Sequence, residues 1–422
     1  MNKIAIKELG EYIPGKFNSL NLNKIKEFIT VSYYIDWYKS SRSNKVFPLI
    51  LQEISDLNPT NFKIPGMITR NSFFDHTRIK YFIAFKGQIP AGRIMAFIDY
   101  NYKEDNSSRI IGWIGLFESI RDKETADRLL NEAVKYLKKN SCTKIIGPAK
   151  FNAGGEIGLL INGFENKPYF MEPYNAPYYQ DFFNLFGFKK ENDWYSICTD
   201  NILSKNYMDK ISRLSDRIIN SKRSEKFKRY KIRNADFSNL KNEIKVIREL
   251  YNPIWNEGSH PQQVHITDKE FNTLAMGFKE ITMEELIFIV EEDNEPVALS
   301  VNLPDINEVI IDYDSRNQFI PGRKFYNPKD IKRDLSIFVN IKKRLKQKNF
   351  TRIRFLILGI KKEHRKNGID FRLYWLIRKT ALEMGFTHGS GSQLADVNMD
   401  IINPIFRLGK VAFTWRVYSL DI

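Results

Sequence analysis

The spacing of apolar positions changes character several times along the chain. Within residues 24–38, Ile25, Phe28, Ile29 and Trp37 recur at helical intervals and predict an opening helix. Residues 81–85 and 92–100 are apolar runs of strand length. Between them lies Lys86-Gly87-Gln88, and because glycine accepts a positive φ the two runs read as a hairpin. Residues 110–117 predict a buried strand. Residues 123–140 place Ala126, Leu129, Leu130, Ala133, Val134 and Leu137 on one helical stripe, and residues 143–147 predict a second buried strand closed by Gly147-Pro148. Strand, helix and strand in that order require a crossover between parallel strands.

The second half repeats the order. A helix is expected over 240–251, strands over 285–291 and 296–303 around Asp293-Asn294, and a buried strand over 351–360. A basic loop over 361–368 then leads to a helix over 370–384 with Leu373, Ile377, Ala381 and Met384 facing inward. The halves also end alike. Asn175 precedes Gly187 and Trp194 as Asn398 precedes Gly409 and Trp415, with steps of 12 and 7 residues in one and 11 and 6 in the other. The pattern predicts an α+β protein built as a divergent internal repeat, with domains at 1–200 and 232–422 joined by a basic helical linker over 201–231.

Composition narrows the function classes. A chain of 422 residues with 42% hydrophobic and 14% aromatic content can bury the cores of two domains. No apolar run approaches a membrane span, and residues 1–15 lack the apolar core of a signal peptide, so a cytoplasmic protein without a membrane partner is expected. Two cysteines and five scattered histidines predict no metal site. The formal charge of +16 favours polyanions, either nucleic acid or a phosphate-rich cofactor. The densest basic stretches, 222–233 and 342–348, read as solvated faces.

One loop carries candidate chemistry. A turn presenting free N–H groups at a helix start binds anions, because those donors lack partners and the helix dipole is positive there. The segment Arg365-Lys366-Asn367-Gly368-Ile369-Asp370 has the parts: Gly368 for close backbone approach, two cations, and Asp370 to cap the helix.

Strand, Arg-x-x-Gly-Ile-Asp loop and helix together resemble the signature of the GNAT acetyltransferase superfamily, and residues 403–409 resemble its second segment. Stretches at 71–76, 92–94, 174–179, 303–307 and 358–370 are similar to bacterial proteins with two such domains in tandem. The resemblance implies two acyl-CoA N-acyltransferase folds, each a mixed, mostly antiparallel twisted sheet flanked by helices. It implies pantetheine contacts at Leu358, Gly359 and Ile360, pyrophosphate contacts at Arg365, Lys366, Asn367, Gly368, Ile369 and Asp370, and cofactor contacts at Asn398 and Asn403. The co-substrate would be acetyl-CoA or another acyl-CoA and the acceptor a small-molecule amine. Asp370 stands where the superfamily prefers glycine or alanine. Ile405 stands where its tyrosine acid would be, and the first half's loop after Glu118 lacks a glycine, which predicts a degenerate cofactor loop there. Candidate bases are Asp305 and Glu257. His260 and His265 read as polar-loop residues, and the first-half stretch 152–156 as an ordinary loop. A Fem-type transfer from aminoacyl-tRNA and a non-catalytic CoA-binding scaffold are the alternatives.

Overall fold

A computed structural model of the chain describes residues 3–35, 44–60, 70–104, 109–151, 154–199, 213, 229–255, 260–319, 328–399, 402 and 410–422. The first half opens with β1 (Ile4–Ile13) and β2 (Phe17–Asn18), then α1 (Leu22–Tyr34) and α2 (Ile50–Asp56). The meander follows as β3 (Thr77–Lys86), β4 (Ile89–Asp99) and β5 (Ile110–Ser119), and α3 (Lys123–Lys139) crosses to β6 (Cys142–Gly147). Short strands β7 (Ala149–Lys150), β8 (Glu156–Ile157) and β9 (Leu159–Asn162), then α4 (Tyr179–Phe186) and β10 (Lys189–Thr199), complete it. The expected hairpin is present, with Gly87 at φ +66°, and β5 and β6 pair in parallel. The opening helix was not the first element. β1 precedes it, its strand signal diluted by Lys7, Glu8 and Glu11 on a half-exposed edge.

The second half runs β11 (Tyr230–Asn234), α5 (Leu240–Trp255), α6 (Asp268–Lys279), β12 (Ile287–Glu292), β13 (Glu295–Pro304), α7 (Asn307–Arg316) and α8 (Pro328–Gln347). It ends with β14 (Arg352–Ile360), α9 (Ile369–Glu383), β15 (His388–Ala395) and β16 (Lys410–Asp421). The turn at Asp293-Asn294 has two positive φ angles, the twist that a tight hairpin needs. Of the expected linker, Arg213 and residues 229–231 are described, and Tyr230 already belongs to β11, so strand begins inside the segment expected to be helical.

The halves share one 14-stranded sheet. Its middle is an exchange. β15 of the second half pairs with β10 of the first, β6 of the first half pairs with β16 of the second, and β10 and β16 pair with each other. The repeated tryptophans meet in that central pair, Trp194 opposite Trp415, both buried. Period-2 alternation sends Phe413, Trp415 and Val417 to one face, where they join a core made mostly of first-half residues. Asp193 and Arg416, also opposite each other, make a bidentate pair at 2.8 and 3.0 Å.

Candidate active site

β14 and β15 pair in parallel only from Arg352–Phe355 to His388–Gly391. Beyond that they diverge, because residues up to Ile360 stay registered on β13 while β15 follows β10. The wedge opens a cavity of about 230 Å³. Its walls come from both halves: Leu356, Ile357 and Leu358 of β14, Tyr251 and Trp255 of α5, Leu274 and Phe278 of α6, Tyr374 and Ile377 of α9, with Trp194, Ile197, Met171, Gly154 and Gly155 from the first half. Gly154 and Gly155 belong to the stretch expected to be an ordinary loop. Tyr251 stacks on Trp255 at 4.8 Å, and Trp255 stacks on His260 at 5.7 Å. Gly359 makes room for this aromatic stack, since a Cβ there would stand 2.4 Å from the Trp255 ring.

The basic loop continues directly from the divergent end of β14. Gly368 is the N-cap of α9 at φ +83° and Lys366 sits at φ +62°. Among the described residues no backbone carbonyl accepts the N–H of Lys366, Asn367 or Gly368. The loop is held from behind. The Asn367 side-chain Nδ2 donates to Tyr230 Oη at 3.1 Å, the His364 ring lies 3.2 Å from the same oxygen, and Glu292 pairs with His364 at 3.1 Å. Arg365 Nε donates back to the Ile360 carbonyl at 3.0 Å. Backbone N–H groups that meet no carbonyl at the start of a helix, in a loop that carries Arg365 and Lys366, are the groups that can take an anion. Asp370 is not the expected cap. It lies in the first turn of α9, where its carboxylate takes nearby amides, and burial raises its pKa.

The equivalent wedge in the first half is filled. A Cβ on Gly115 would meet the Ala149 carbonyl oxygen at 1.9 Å, so β7 lies directly against β5. Tyr179 Oη accepts the Ser119 N–H and donates to Glu118, and Tyr178 donates to the Ser119 carbonyl, each at 2.9 Å. The Ser119 backbone groups at the end of β5 are thus bonded to the protein itself.

The expected bases fare differently. Glu257, Asn403 and Ile405 lie outside the described residues. Asp305 does not line the cavity and is fully buried. It accepts the N–H of Phe170 at 2.9 Å and of Asn307 at 3.1 Å and pairs with Arg352 at 3.1 Å, tying a first-half loop to β14. Burial pushes its carboxyl up to about 7 against the pull of Arg352. That value suits a general base, but a base must first reach its proton. Asp305→Asn keeps an Oδ1 acceptor for both N–H groups but takes the carboxylate away from the largely buried Arg352, and is expected to lower stability by about 1–3 kcal/mol. In a melt-and-rate comparison Tm falls while kcat stays near wild type. His265 bonds Asn252 at 3.3 Å away from the cavity, whereas His260 lines it. His260 is brought there by its stack on Trp255, which local sequence pattern does not reveal. Asn398 also lines the cavity. Beneath it, Glu172 accepts from Ser390 at 2.7 Å and Ser392 at 2.6 Å, joining the halves through buried polar contacts.

The α6 wall is latched to the first half by His76, between Asp99 at 2.8 Å and Glu270 at 3.2 Å. Burial alone would lower its pKa, but the two carboxylates outweigh that and push it up to about 10. A raised folded pKa gives stability that is complete below the unfolded value of about 6.5 and is lost as pH rises through the folded one. His76→Gln is therefore expected to cost about 2–5 °C in Tm at pH 7 and little at a pH above 10, read from melts of both proteins at each pH.

No protein-family model matches the chain. It is 31% identical over 304 residues to Protein YghO of Escherichia coli (strain K12), covering 69% of each chain. It is 23% identical over 406 residues to the Bacterial ceramide synthase of Caulobacter vibrioides, covering 94% of each. Among solved structures, a tandem GNAT protein from the clavulanic acid biosynthesis pathway matches 99% of this chain and 98% of its own, with a TM-score of 0.50 and 9% identity.

Proposed function

Because the chain belongs to the family of Protein YghO and folds as two tandem GNAT domains, we propose that it is an acyl-CoA-dependent N-acyltransferase with its reaction centre in the second-half wedge. The observation that carries this is the open second-half wedge, continued along β14 into a loop whose Lys366, Asn367 and Gly368 amides meet no backbone carbonyl among the described residues, set against a first-half counterpart in which β7 lies on β5. Acyl-CoA supplies the activated thioester. The backbone edge at Leu358, Gly359 and Ile360 would orient the pantetheine arm, and the amides from Lys366 to Ile369 the pyrophosphate, with Arg365 and Lys366 adding charge.

The acyl group is longer than acetyl. Aromatic and aliphatic walls favour an alkyl chain by roughly 0.8 kcal/mol per buried CH₂, and a relative that aligns over nearly the whole chain is named a ceramide synthase, an activity that acylates a long-chain amino alcohol on nitrogen. The acceptor is accordingly a long-chain amine. His260, the imidazole on the lining, takes the proton from the ammonium. Tyr251, on the same lining through its stack on Trp255, accepts from Gln263 at 3.2 Å and keeps its own proton, since burial pushes its pKa up to about 12. In this reading Tyr251 returns a proton to the departing thiolate.

Thiol release from acetyl-CoA and from palmitoyl-CoA, with a long-chain amino alcohol or a short amine as acceptor, tests this. The expected result is turnover with the long donor and long acceptor, and about a 10²–10⁴-fold lower kcat for His260→Gln. Absence of thiol release with every donor and acceptor would sink the proposal.

A further inference from the structure

We propose that the outer face of α8 is a docking surface for an anionic lipid bilayer. The helix carries seven basic and two acidic residues. Both acids, Asp330 and Asp334, are buried, and Ile337 and Ile341 pack into the second-half core. What faces outward is therefore of one kind of charge. At the centre of that face stand Leu335, Phe338 and Val339, 38, 43 and 65% exposed, spaced to form one ridge. Lys329 and Lys332 lie on the exposed side before the ridge, and Lys343 and Lys346 after it.

An apolar ridge flanked by lysines is the pattern of a helix lying in a membrane interface, with side chains in the acyl boundary and ammonium groups among the phosphates. An RNA backbone would meet the lysines but leave the ridge in water. A second copy packed ridge to ridge would bring like charges together. The bilayer alone satisfies both parts of the face, and the overall charge of +16 adds attraction at longer range. The face is also next to the cavity wall. Lys342 holds the carboxylate and backbone carbonyl of Glu280, just beyond α6, whose Leu274 and Phe278 line the cavity and whose Met276 is 49% exposed. A docked protein would thus hold the cavity close to the lipid phase. Binding is measured without turnover, so this inference stands or falls apart from the proposed reaction.

Flotation of the full chain with vesicles of phosphatidylcholine, and of phosphatidylcholine mixed with phosphatidylglycerol, provides the test. Wild type should float with the anionic vesicles and remain behind with the neutral ones. The double substitution Phe338→Ser with Val339→Ser should weaken partition at least about tenfold. Each of Lys329→Gln, Lys332→Gln, Lys343→Gln and Lys346→Gln should weaken it roughly fivefold. Lys138→Gln with Lys139→Gln, on exposed positions of α3, should leave it within about twofold. Circular dichroism and melting check that the variants fold. Wild type that floats with neither vesicle, a ridge variant that floats like wild type, or a ridge variant that turns a dimer into a monomer would each overturn the proposal.

Discussion

Gly368→Glu is expected to abolish measurable acyl-CoA binding, with a loss of at least about 100-fold, or roughly 2.7 kcal/mol. Three effects add in one direction. Gly368 sits at φ +83°, where a side chain adds about 1–2 kcal/mol of backbone strain. The substitution places a carboxylate at the amides that would receive the phosphates, so like charges oppose each other in the cradle. It also disturbs a loop whose position depends on Asn367, His364 and Tyr230 acting together. Calorimetry against wild type reads the loss. Tyr230 and His364 lie behind the cradle, so an unchanged melting curve in the glutamate variant would place the defect in the loop itself.

Separating the halves is expected to have the second large effect. Expressed alone, residues 1–228 or 229–422 should be insoluble or molten, whereas co-expression should yield a complex that copurifies and binds acyl-CoA. The reason is the strand exchange. Without β16, the first-half core loses Phe413, Trp415 and Val417, all fully buried. At about 1.5–3 kcal/mol for each buried side chain, that loss approaches the whole stability of a domain, about 5–15 kcal/mol. The second half alone would lose β10, leaving the β15 edge unpaired and removing Trp194 and Ile197 from the cavity wall. A cooperative thermal transition from isolated residues 229–422 would show that the exchange does not govern folding.

The repeat was legible because both halves obey the same local rules. The helical stripe of α3, the hairpins at Gly87 and at Asp293-Asn294, and the strand-loop-helix around Gly368 each follow from a few neighbouring residues. The exchange was not legible. Phe413, Trp415 and Val417 announce a strand with one buried face, but alternation does not say which core receives that face. The same reason explains the candidate base. Asp305 follows a strand and looks available, yet the Phe170 amide from the first half and the Asn307 amide two residues on converge on it and seal it. His260 looks like a polar-loop residue until Trp255, held by Gly359, draws it onto the cavity. Likewise, Gly154 and Gly155 carry no sign of a cavity in their own sequence, because the wall they join belongs to the other half. The lysines of α8 read as a solvated face because the apolar ridge between them becomes visible only once the inward positions are assigned.

The central claim is that the second-half wedge binds acyl-CoA through the Gly368 loop and accommodates a long acyl chain. Calorimetry of the intact protein with CoA, acetyl-CoA and palmitoyl-CoA tests it directly. The account predicts micromolar binding of all three, tightening with chain length and lost in Gly368→Glu. No CoA binding by wild type, or equal binding by wild type and Gly368→Glu, would contradict it.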